Sequence, residues 1–257
     1  MTRPTPRIGH ATVVLATVVY GILLIPILMV IATSFTAQPF PTLPKTIDLQ
    51  WYGELMSDGQ IHGTLITSFI VALVSSIIAA AIGIVSAFGF VRYEFPYKQT
   101  ISTAMLLPLI ISPIITGVAI LQFTSRVGIN TGYPTLILGH SVLVFPYAFL
   151  IIRSALSSFD STLEDASVVM GATPAASFVN VTLPMIAPAV FSAVLVSFLV
   201  SFGEFTATQF LVSADATTVP VIIYTMMRTG VTPTITALAT VLVVIMTLVG
   251  VISEAVN

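Results

Sequence analysis

Asp165-Ala166-Ser167-Val168-Val169-Met170-Gly171, then nine residues, then Val181-Thr182-Leu183-Pro184: this stretch is a compact, partly polar island in a chain that carries very little charge. Around it, 56% of the 257 residues are hydrophobic and 7% are charged, against roughly 25% charged in a soluble domain. Mean hydropathy is +1.08. A chain this apolar needs lipid as part of its solvent, and such an island is where a membrane protein can touch a soluble partner. The formal net charge of −2 offers no basic patch for nucleic acid. Cysteine is absent, which removes disulfides, thiolate nucleophiles and cysteine metal sites. His10, His62 and His140 lack ligand spacing and read as isolated polar residues at helix ends or interfaces.

Charge-free intervals mark the membrane spans. Asp, Glu, Lys and Arg are missing from 8–44, 59–91, 99–125, 127–152, 166–203 and 229–253. Each interval holds about 20 apolar residues, enough to cross a bilayer core. Six helices are predicted, near 10–35, 64–90, 100–124, 135–154, 186–212 and 233–254. The first has too long an apolar run for a secretory signal and reads as a retained span. Pro26, Pro108, Pro113 and Pro146 predict kinks rather than breaks.

The positive-inside rule orients the spans. With the N-terminus in the cytoplasm, Arg3, Arg7, Arg92, Lys98 and Arg153 lie inside and Lys45, Arg126 and Arg228 outside. Six crossings return the C-terminus to the cytoplasm. The external segment 36–63, with Trp51 and Tyr52, reads as an interfacial helix. Val219 to Met227 is too short to span and is predicted to dip toward the membrane or cover the external mouth. The whole chain, 1–257, reads as one membrane domain, with 160–184 as a cytoplasmic loop within it.

Inside that loop, Ser161 and Glu164 have the spacing of a capping box. Glu164 and Asp165 suit the positive end of the helix dipole. Ala166 and Ser167 are small enough for another surface to approach closely. Gly171 suits a left-handed helix end, and Pro174 a first helical turn. Leu183-Pro184 is predicted to break the second short helix and turn the chain into the fifth span.

These residues resemble the EAA loop of permease subunits of binding-protein-dependent ABC importers. That pattern is Glu-Ala-Ala, three residues, Gly, nine residues, Ile, one residue, Leu-Pro. Here Asp165-Ala166-Ser167, Gly171, Val181 and Leu183-Pro184 keep the whole spacing, with Asp for Glu, Ser for Ala and Val for Ile. The resemblance implies an all-α membrane protein with six transmembrane helices and a cytoplasmic coupling helix, the type I importer permease fold. It implies that Glu164, Asp165, Ala166, Ser167, Gly171, Leu183 and Pro184 couple to a cytoplasmic ATPase. The implied partners are a second permease subunit of different sequence, two ATPase subunits carrying ATP and Mg, an external binding protein, and membrane lipid. The implied place is a prokaryotic inner membrane. Trp51-Tyr52-Gly53-Glu54-Leu55-Met56, Arg92-Tyr93-Glu94-Phe95 and Ala237-Leu238-Ala239-Thr240 are similar to segments of spermidine/putrescine importer permeases.

Glu204 is the one carboxylate well inside a predicted span. Ser201, Glu204 and Thr208 would share a helical face, with Gln209 and, in the third span, Gln122 as further pathway candidates. Two readings stay open for Glu204: a wall of the translocation path, or a buried carboxyl bonding a neighbouring helix. The cargo implied by the resemblance is a polyamine or similar small polar solute. Gly203-Glu204-Phe205 with Ala207-Thr208 looks more like permeases for oxyanions, thiamine or ferric iron, and a phosphonate stays in the same group of alternatives. No Gly-rich phosphate loop is present, so no ATP site of that kind and no cofactor is expected in this chain. A stand-alone secondary transporter or channel would need inverted repeats and more intramembrane charge. An intramembrane enzyme would need a catalytic constellation, and none is visible.

Overall fold

In lipid, each crossing segment must satisfy its own backbone hydrogen bonds, which favours helices. The computed structural model describes residues 10–38, 42–44 and 46–256. Arg3, Arg7 and Lys45, which enter the charge count of the loops, and the His10 side chain lie outside that description. The described elements are α1 (His10–Thr33), α2 (Gln50–Ser57), α3 (Gly59–Arg92), α4 (Lys98–Met105), α5 (Leu107–Ile110), α6 (Pro113–Arg126), α7 (Tyr133–Ser158), α8 (Thr162–Val169), α9 (Pro174–Ser177), α10 (Leu183–Phe202), α11 (Val219–Thr229) and α12 (Pro233–Val256). A π-helical turn, Phe178–Thr182, joins α9 to α10, and a 3-10 turn spans Thr208–Phe210. The only β feature among the described residues is a bridge between Ser213 and Ala216.

Among the described residues, five helical stretches are long and apolar enough to cross a membrane: Thr12–Thr33, Gly59–Arg92, Tyr133–Ser158, Pro174–Phe202 and Pro233–Ser253. The predicted third span is different. Instead of one helix over 100–124 it is three pieces, α4, α5 and α6, the longest of 14 residues. Pro108 and Pro113 each stand in the first turn of a new helix. A proline pushes its predecessor out of helical geometry, and Ser112 is extended at ψ 133°. Pro113 therefore breaks the segment at Ser112, whereas the gap before Pro108 is the single residue Leu106, which keeps near-helical angles of φ −92° and ψ −1° and stands where the missing proline N–H interrupts the ladder. Pro26 and Pro146 lie inside continuous helices. The fifth span also departs from 186–212: it begins earlier, at Pro174, and its helix ends at Phe202.

The described residues divide into two compact units, those up to Gly59 with Thr225–Val243, and Gln60–Tyr224 with those from Val244 onward. In the first, Trp51 Nε1 donates to the Thr36 carbonyl at 2.7 Å, and the Ser34 and Tyr52 hydroxyls lie 2.7 Å apart. These bonds fix α2 to the end of α1. The most apolar 18 residues of Thr12–Thr33 include no buried position, as suits a helix apolar all round that faces lipid.

The core of the second unit lies among α3, α7 and α10. Ala79, Ala80 and Ala87 of α3 meet Ala148, Phe149 and Ile152 of α7, and Ala193 of α10. Small residues allow helix backbones to approach closely in a membrane. A Cβ at Gly83 would lie 3.3 Å from Ile152 Cδ1 and 3.4 Å from the Ala148 carbonyl carbon. Gly83→Ala is therefore expected to be tolerated, while Gly83→Leu overpacks the contact at a cost of about 1–3 kcal/mol. Thermal unfolding in detergent checks this, and equal melting temperatures for wild type and Gly83→Leu would contradict it.

Candidate functional site

The loop between α7 and α10 is built by local capping. Asp160 Oδ1 accepts the Thr162 N–H at 3.0 Å, and this bond holds the Asp160 carboxyl below its ordinary pKa. Ser161 is itself helical, at φ −64° and ψ −14°, and makes no side-chain cap. The expected Ser161–Glu164 box is thus replaced by Asp160 one residue earlier, because a cap needs an extended backbone to aim its oxygen at the first amides. At the other end of α8, the Gly171 N–H reaches the Val168 carbonyl at 2.9 Å and the Ala172 N–H reaches Ser167 at 3.1 Å. With Gly171 at φ +97°, this is a Schellman closure. Thr173 then caps α9, its hydroxyl accepting the Ala176 N–H at 3.2 Å.

Ser167 turns inward rather than toward a partner. Its hydroxyl lies 2.5 Å from the Ser177 hydroxyl, and both reach the Glu164 carbonyl, at 2.9 and 3.2 Å. α8 and α9 are thereby held as one body. Glu164 also turns inward, forming an ion pair with Arg92. Asp165, Ala166, Val168, Val169 and Met170 are exposed, Val169 by 88% and Met170 by 82%. The predicted break at Leu183-Pro184 does not occur. The Leu183 N–H bonds the Phe178 carbonyl five residues back, and this wider π turn sits just before the missing N–H of Pro184. The helix continues through to Phe202. Leu183 packs against the α3–α7–α10 core, and Pro184 is exposed.

A second polar cluster lies where α10 ends. Ser201, Glu204 and Thr208 were expected on one helical face, but the helix stops at Phe202, so no such face exists. Glu204 is half-buried, and its Oε1 accepts the Ala207 N–H at 2.8 Å, capping the next turn. Ser201 and Thr208 instead converge on His140 of α7. Ser201 Oγ lies 2.7 Å from His140 Nδ1, and Thr208 Oγ1 lies 3.0 Å from Nε2. All three are buried. The Thr208 hydroxyl donates to the Glu204 carbonyl at 2.9 Å. It must then accept from Nε2–H, leaving Nδ1 to accept from Ser201. Gln209 is half-buried and donates to the nearby Thr206 carbonyl at 3.1 Å, while Gln122 is exposed on α6.

In sequence His140 reads as an isolated polar residue, its one signal being a lone imidazole within an apolar span. Gly117 was also missed. A Cβ there would lie 2.8 Å from the Ala207 carbonyl oxygen and 2.9 Å from its Cα, so only glycine lets α6 meet the backbone of the break. A 570 Å³ groove is lined by Leu107, Ile111, Ile115, Phe123 and Val142 among others; an apolar wall of this kind offers a polar solute few partners.

Residues 79–257 match the family described as the binding-protein-dependent transport system inner membrane component. The chain belongs to this family. It is 30% identical over 240 residues to the spermidine/putrescine transport system permease protein PotC of Haemophilus influenzae, covering 93% of each chain. It is 31% identical over 235 residues to the putrescine transport system permease protein PotI of Escherichia coli K12, covering 89% of this chain and 84% of that one. A solved bacterial ABC transporter involved in import of the polysaccharide alginate has the same fold, with a TM-score of 0.74, 14% identity and 99% of each chain covered. The protein is thus a multi-pass inner-membrane permease subunit of an ABC importer, and the matched region of the permease takes in both the α7–α10 loop and the His140 cluster.

His140→Leu would leave the Ser201 and Thr208 hydroxyls buried without their partner, a loss of about 1–3 kcal/mol. His140→Gln, which keeps a donor and an acceptor, should recover part of it. Melting temperatures of the two purified variants decide the point; an unchanged value for His140→Leu would rule out a structural share for this cluster.

Proposed function

We propose that this permease is one half of a transmembrane pair that imports a polyamine or a similar small polar solute, driven by ATP hydrolysed on partner subunits. The observation that carries the coupling role is the shape of the 160–184 loop. The Ser167 and Ser177 hydroxyls are bonded internally, to each other and to the Glu164 carbonyl, while Asp165, Ala166, Val169 and Met170 form an exposed, non-catalytic surface. Exposed apolar side chains such as Val169 and Met170 suit a surface that a partner covers. A cytoplasmic ATPase binding Mg and ATP is that partner, and its closure moves α8.

Six crossings fit the chain when α4, α5 and α6 together make the third. The N- and C-termini are then cytoplasmic, and Arg92, Lys98 and Arg153 share the side of the loop, in keeping with the positive-inside rule. A second permease chain completes the path and an external binding protein delivers the solute. The names of PotC and PotI, matched over most of the chain, support the polyamine reading. The resemblance of Gly203-Glu204-Phe205 with Ala207-Thr208 to other permeases keeps an oxyanion, thiamine or ferric iron as the second reading of the cargo.

Gly171→Val tests the coupling role. A Cβ at Gly171 meets no atom within 4 Å, so the strain lies in the backbone alone, at φ +97°. A β-branched residue is an outlier there. Membrane insertion should persist while solute-stimulated ATPase activity falls about tenfold, the factor equivalent to about 1.4 kcal/mol. Unaltered stimulation would overturn the coupling role. Binding of putrescine, spermidine, sulfate and thiamine to the cognate binding protein decides the cargo.

A further inference from the structure

We infer that Arg92 and Glu164 form a latch between the coupling loop and the end of α3, making α3 a second lever beside α10. The inference rests on the coupling role proposed above. Arg92 is the last residue of α3, and its Nη2 is in direct contact with Glu164 Oε2 in the first turn of α8. The guanidinium also sits over the Phe159 ring, 5.7 Å from its centroid. One turn earlier, Phe88 meets Phe178 edge-on, with centroids 4.6 Å apart. The last turn of α3 therefore holds the loop at three points: before α8, on α8, and on the π turn after α9.

The chemistry favours a strong pair. The Arg92 and Glu164 side chains are only 20% and 14% exposed, so water screens them less than it screens a surface ion pair. Arg92 Nε and Nη2 are both buried and neither makes a well-aligned hydrogen bond, so the close Nη2–Oε2 ion pair leaves Glu164 as the one counter-charge found for this guanidinium among the described residues. The carboxylate gains further from the positive end of α8. By contrast, the Lys98–Glu94 pair nearby has an 89% exposed glutamate. Covalent connection ties the loop to α7 and α10; Arg92 adds α3, whose alanines pack on α7. Arg92 and Glu164 act as positioning residues, since neither touches a solute.

The test uses the complete transporter, with its partner permease, ATPase and binding protein, in liposomes. The readout is solute imported per ATP hydrolysed by assembled complex. Arg92→Gln and Glu164→Gln should each lower this ratio by about fivefold or more, the low end of coupling between distinct sites. The double exchange Arg92→Glu with Glu164→Arg should restore most of it, and Arg92→Lys should keep most of it. Glu94→Gln should leave the ratio unchanged. A wild-type ratio in both single variants overturns the latch, whether or not the yield of complex falls. Failure of the double exchange to restore the ratio overturns it too. If Gly171→Val uncouples while the latch variants do not, the coupling loop stands and the latch alone is rejected. If Gly171→Val also couples normally, the coupling reading itself has failed.

Discussion

A backbone amide or carbonyl at membrane depth has no water to turn to, and each one left unpaired costs several kcal/mol. Where this chain leaves the helix, the missing bonds must come from the chain itself. After Phe202 they do: the Glu204 carboxylate takes the Ala207 amide, and the Thr208 hydroxyl gives its proton to the Glu204 carbonyl. That commitment leaves the Thr208 oxygen open to a donor, and His140 Nε2–H supplies it while Nδ1 accepts a hydrogen bond from the Ser201 hydroxyl. Ser201, Glu204, Thr208 and His140 are thus accounted for by one obligation. Any solute that Glu204 meets must compete with the Ala207 amide for one of its oxygens.

The α7–α10 loop obeys the reverse logic. Outside the bilayer, polar groups can face water and apolar ones should be covered. Here Ser167, Ser177 and the Glu164 carbonyl are turned inward, and Val169 and Met170 outward. That arrangement suits the partner contact proposed above, because apolar contact supplies association energy and the internal hydroxyl bonds tie α8 to α9.

The spans near 10–35, 64–90, 135–154 and 233–254 were legible because their chemistry is uniform: almost no charge, and Pro26 and Pro146 fall where a helix tolerates them. The third span was not legible, since Pro108 and Pro113 look like Pro26 and Pro146 in sequence. Pro113 is set apart by its predecessor, since Ser112 turns extended, while at Pro108 the interruption is one residue, Leu106, that stays in the helical region. The end of the fifth span failed for a related reason. Ser201, Glu204 and Thr208 fit helical spacing, but Gly203 weakens helix continuation and the Glu204 side chain competes for a local amide. The loop motif was legible by spacing, whereas the inward turn of Glu164 and Ser167 needed Arg92 and Ser177, which lie too far away in sequence to be paired by eye.

The two sites are joined by one element. The helix from Pro174 to Phe202 is 29 residues long, about 43 Å at 1.5 Å per residue. Its first turns belong to the loop, and its last turn carries Ser201 into the His140 cluster. A rod transmits displacement only if it is stiff along its length and held at its far end. The π turn at Phe178–Thr182 is its one irregular stretch, and the Phe88–Phe178 contact braces it there against α3. At the far end, the Ser201–His140 bond ties it to α7. A push on α8 would then reach the break at Gly203 as movement of a braced rod against α7, and the first backbone free to yield is the non-helical stretch that holds Glu204.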